Sequence, residues 1–68
     1  MTYYSELLKM RTRIKELLKA SGKFEEYDLT FQILETFAVS ETKIREYIDA
    51  LVNMNYAKRE GTTIIWNK

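Results

Sequence analysis

A chain of 68 residues can hold one small domain, read here as 1–68, and a domain of that size buries only about 60% of the surface its unfolded form exposes. It contains no cysteine and no histidine, which excludes disulfides and the usual zinc sites as staples and leaves close packing or a partner subunit. At 46% hydrophobic and 31% charged, with a net charge of +1, it is too apolar for intrinsic disorder and too charged for a membrane span.

The first segment reads as a helix over about 3–20. Leu7, Met10, Ile14, Leu17 and Ser21 recur at alternating three and four, the spacing of one helical face. Tyr3, Leu8 and Leu18 widen that stripe, Thr2 or Ser5 can cap the start, and Gly22 can take the left-handed conformation that stops it. The stripe repeats nearly every seven residues, which suits a seam between two subunits as well as ordinary packing. The segment 1–23 carries six basic groups against two acids; most of the basic groups sit on the helix's polar face, either as a solvated surface or as a phosphate-contacting or dimer-flanking one.

"KFEEY" (23–27) reads as a loop or an extra helical turn. A second helix is expected at about 29–37, with Asp28 or Thr30 as cap and Leu29, Ile33 and Phe37 on one face beside Leu34. Ser40 is a good cap for a third helix over 41–54, whose inward stripe is Ile44, Ile48 and Leu51, flanked by Tyr47 and Val52. Asn55 suits a left-handed end. The segment 24–50 is acidic, with two basic groups against seven acids. The period then changes. "YAKREGTTIIW" predicts strands at roughly 56–59 and 62–66 around Gly61, a hairpin that must lie on the helices to be stable.

The expected class is therefore mainly α with a β-hairpin (α+β). In that order of elements the chain resembles the winged helix-turn-helix family of DNA-binding domains. The resemblance runs from about Leu29 to Trp66. "ILETFAVSETKIREYI" is similar to the family's helix-turn-helix core, and "LVNMNYAKREGTTIIW" to the step from recognition helix into wing. The family most often has Gly in the turn where this chain has Ala38, so the turn must avoid positive dihedrals or accept strain.

The resemblance implies a sequence-specific double-stranded DNA-binding protein that regulates transcription. The third helix would enter the major groove. Ser40 would cap it, Thr42, Lys43, Arg45 and Glu46 would reach bases or phosphates, and Lys58 and Arg59 on the wing would hold the backbone. A homodimer is expected, because the core is small and the first helix offers a possible seam; a dimer would also fit two-fold DNA sites. The acids Glu46 and Asp49 on the exposed face motivate an alternative, a winged-helix adaptor that docks a protein in a transcription or replication complex. No catalytic constellation, cofactor site or metal site is read from the residues: Gly22 and Gly61 stand alone, and Glu25 and Glu26 are merely adjacent. "MTYYSELLKMRTR" lacks the order of a signal peptide, so a cytoplasmic location is expected, without membrane association.

Overall fold

The computed structural model describes residues 2–67, with side chains from Tyr4 onward, so the proposed roles of the Thr2 and Tyr3 side chains and the charge of Lys68 lie outside the described residues. The order is α1 (Thr2–Ser21), β1 (Lys23–Glu25), α2 (Glu26–Thr36), α3 (Glu41–Asn53), β2 (Ala57–Glu60) and β3 (Thr63–Trp66). It is a mainly α, α+β winged-helix layout, three helices and a hairpin.

Helix α1 buries Met10, Ile14 and Leu18 completely, with Leu7 and Leu17 packed at the rim. Leu8 turns away from the core and is 45% exposed, and Ser21 is exposed too. The helix ends where expected. Gly22 takes φ +82° and its N–H donates to the Leu18 carbonyl at 2.8 Å.

The stretch read as loop or helix divides between the two regular elements. Residues 23–25 form an edge strand, with Lys23 opposite Ile65, Phe24 opposite Ile64 and Glu25 opposite Thr63. The strand fixes Glu25 in an extended conformation (φ −68°, ψ 133°). From there Glu25, not Asp28 or Thr30, caps α2 by accepting from the Tyr27 N–H at 3.3 Å. Helix α2 therefore starts three residues earlier than the apolar spacing predicts. Glu26 and Asp28 fall in its first turn, where negative charge is favourable. Leu29, Thr30 and Ile33 face inward; Leu34 faces outward at 39% exposure.

Helix α2 ends at an extended Phe37 (φ −122°). Asn55 is the one non-glycine residue with positive φ among the described residues, so Ala38 makes the turn without left-handed strain. The Ala38 N–H donates to Glu6 Oε1 at 3.3 Å, tying the turn to α1. Val39 is buried beneath the corner, and the Ser40 Oγ caps α3 by accepting from the Lys43 N–H at 3.2 Å. Ile44, Ile48 and Leu51 are buried as the stripe predicts. The far end closes on Asn55 at φ 65°, with Tyr56 N–H to the Leu51 carbonyl (2.9 Å) and Asn55 N–H to the Val52 carbonyl (3.1 Å). Those paired bonds satisfy carbonyls that would otherwise be orphaned at a helix end.

The hairpin turns at Gly61 (φ +62°) and pairs Ala57 with Trp66, Lys58 with Ile65, Arg59 with Ile64 and Glu60 with Thr63. β3 is central, in the order β1-β3-β2, so the short β1 covers what would otherwise be an open edge. Ile64 and Ala57 enter the core. Tyr56 stacks on Trp66, with ring centres 6.1 Å apart. No helix among the described residues is long and apolar enough to cross a membrane.

Candidate nucleic-acid interface

Burying Ile44, Ile48 and Leu51 obliges α3 to present its opposite face. Thr42, Glu46, Asp49 and Asn53 are exposed there, with Lys43 and Arg45 exposed on the flanks. The helix lies between two neighbours. On one side α1 approaches: Leu7, Met10 and Arg11 form an open cleft of about 250 Å³ with Lys43, Glu46 and Tyr47. The Arg11 guanidinium lies over the Tyr47 ring, 5.7 Å from its centre. Burial pushes the Tyr47 phenol above its ordinary value, with Arg11 pulling the other way. On the other side the hairpin is tied on through Arg59.

The cations that the sequence nominates do not stand free. Lys43 pairs with Glu46 at 3.5 Å, Arg45 with Glu41 at 2.8 Å and Lys58 with Glu60 at 3.3 Å. These three pairs are solvent-exposed on both sides, and such pairs are worth roughly 0–1 kcal/mol. A phosphate can displace the carboxylate at little cost.

Arg59 is different. It sits opposite the fully buried Ile64, so strand alternation turns it to the helix side of the sheet, while Lys58 points to the outer side. There Nη1 donates to Glu26 Oε1 at 2.5 Å and Nη2 donates to Asp49 Oδ1. One guanidinium joins the start of α2, the middle of α3 and the wing. Arg59 thus positions the hairpin, and of the expected wing pair only Lys58 faces outward. Ser40 is similarly occupied by its cap. Thr42, Lys43, Arg45 and Glu46 are brought together on one exposed helical turn and a half.

The cations outside the nominated set behave in the opposite way. Lys9 and Arg13 pair with Glu6 and Glu16, but Arg11, Lys15, Lys19 and Lys23 have no acidic partner among the described residues. The signal was present in the sequence as a four-residue spacing, 11, 15 and 19. The acids show a matching asymmetry: Asp28 and Glu35 on α2 are the two without a hydrogen-bonding or ionic partner among the described residues. They border an outward stripe of Tyr27, Phe31 and Leu34 at i, i+4 and i+7, exposed by 68%, 62% and 39%. No group of acids suited to a metal ion occurs among the described residues. No protein-family model matches the chain, and no curated protein matches it.

Proposed function

We propose that this chain is a winged helix-turn-helix protein that binds double-stranded DNA and regulates transcription. The observation that carries the reading is the uncovered face of α3, held between α1 and the hairpin with its capped first turn outward. A helix so presented suits the width of the major groove, where Thr42, Lys43, Arg45 and Glu46 would reach base edges and phosphates. Glu46 accepts from a cytosine amino group when it lets go of Lys43. Lys58 meets the flanking backbone. Arg59 contributes by holding the wing beside α3 rather than by touching DNA.

Arg45→Ala and Lys58→Ala test the reading by duplex binding at moderate salt. Each is expected to weaken binding, Arg45→Ala by about 1–3 kcal/mol with altered sequence preference and Lys58→Ala equally on all sequences. If neither weakens it, this surface is not the one used. A homodimer fits the reading because two copies would address half-sites about one helical turn apart; sedimentation of the free and DNA-bound protein measures it.

A second reading, a protein-docking adaptor on the same fold, is favoured by one specific feature. The stripe Tyr27, Phe31 and Leu34 is apolar, exposed and bordered by Asp28 and Glu35, which have no partner among the described residues. Tight, salt-sensitive duplex binding that survives Phe31→Ser would set it aside as the main role.

A further inference from the structure

Six of the ten described cations are matched by a carboxylate, and those include every cation nominated on α3 and the wing. The unmatched ones are Arg11, Lys15 and Lys19 on α1, followed by Lys23. Steps of four along a helix keep side chains on one slowly turning ridge, and positions 11 to 19 span roughly 12 Å. Two of the three are held by aromatic rings rather than by acids: Arg11 over Tyr47 at 5.7 Å, and Lys15 over Tyr56 at 5.6 Å. Tyr56 is itself braced by its stack on Trp66. A cation resting on a ring keeps its full charge for an incoming anion, and it has already lost part of its conformational freedom. The ridge also adjoins α3, because Arg11 and Lys43 line the same cleft; Glu46 is the one acid there.

We infer that Arg11, Lys15 and Lys19 form a second nucleic-acid contact, one that grips the phosphate backbone without reading sequence. The inference rests on the DNA-binding reading above and divides the labour within it. A strand bordering the groove entered by α3 would run past Arg11 and along α1, against cations that need not release a carboxylate first. The ridge then supplies a larger share of the salt dependence than Lys43 and Arg45 do, since each phosphate neutralised adds about 0.9 to the slope of log affinity against log salt.

The test is duplex binding by the full chain, followed by anisotropy between about 50 and 200 mM salt on two unrelated sequences. The combined Arg11→Gln, Lys15→Gln, Lys19→Gln variant is expected to lower the slope by about 2–3 and to weaken binding at least ~10-fold at the low end, equally on both sequences. Arg11→Lys, Lys15→Arg, Lys19→Arg, which keeps the charge, is expected to keep the slope. Lys19→Gln alone, at a position that rests on no ring among the described residues, is expected to lower it by about 1, and it carries the test if the triple variant does not fold. Wild-type binding with an unchanged slope in the glutamine variants overturns the ridge and leaves the DNA reading standing. Absence of duplex binding by the wild-type chain at low salt overturns both.

Discussion

The cation-bearing surfaces of α1 and of α3 with its hairpin are close neighbours, yet they are built on opposite plans. On α3 and the hairpin each cation faces a carboxylate, either on the same element, as in Lys43 with Glu46 and Arg45 with Glu41, or across elements, as in Arg59 with Glu26 and Asp49. On α1 the ridge cations meet aromatic rings or solvent. The difference separates two tasks that a charged surface can perform. A self-neutralised face attracts less from a distance and engages at close range, by exchanging a weakly held carboxylate for a ligand group, which favours discrimination. A face with unmatched charge attracts any polyanion, which favours encounter and residence.

The largest contrast is expected in stability. Arg59→Ala strands Glu26 and Asp49 and unties the hairpin from both helices, and it should cost about 1–2 kcal/mol, since hydrogen bonds to charged groups matter and the site is partly exposed. Lys19→Ala on the ridge should stay within about 0.5 kcal/mol. Urea unfolding of the two variants makes the comparison; equal losses would remove the distinction between a structural and a free cation. A smaller effect is expected from Glu41→Gln combined with Glu46→Gln. Freeing Arg45 and Lys43 makes α3 resemble α1, so non-specific duplex affinity should rise, by about 2- to 10-fold at low salt, while preference between sequences falls. Unchanged affinity in that variant would show that the pairs do not restrain the surface.

The smallest effect is a matter of pH. The Tyr47 phenol is raised by burial, so the folded state holds its proton more tightly than the unfolded state does. The stability this adds is fully present below the ordinary value of 10.0 and is lost as pH rises from there through the raised value. Thermal melts across that range should show an alkaline decline that Tyr47→Phe reduces. A decline identical in Tyr47→Phe would place its origin elsewhere.

Much of the fold was legible because it depends on local chemistry. Ser40 and Gly22 punctuate helices wherever they occur in such a context, and Ile44, Ile48 and Leu51 declare a face through spacing alone. β1 was not legible. Three residues are too few to show a period, and what makes them a strand is pairing with Ile64 and Ile65, some forty positions later. The early start of α2 follows from the same cause, since Glu25 becomes a cap only once β1 holds it extended. Leu8 and Leu34 belong to apolar patterns but fall just outside the packed stripe, and spacing cannot tell a rim position from an exposed one.

For the candidate site, the sequence alone determined which residues α3 presents, because burying one helical face exposes the other. It also determined that Ala38, Val39 and Ser40 make a corner. Only the tertiary structure decided which charges are available. Arg59 and Lys58 are adjacent in the chain and equivalent in composition, but strand alternation sends one inward to Glu26 and Asp49 and the other out to solvent. Lys15 and Tyr56 are far apart in sequence and meet only because α1 packs on one core with α3 and the hairpin, which Tyr56 joins. Charge is a property of the residue, but its availability depends on which groups the fold brings within a few ångströms of it.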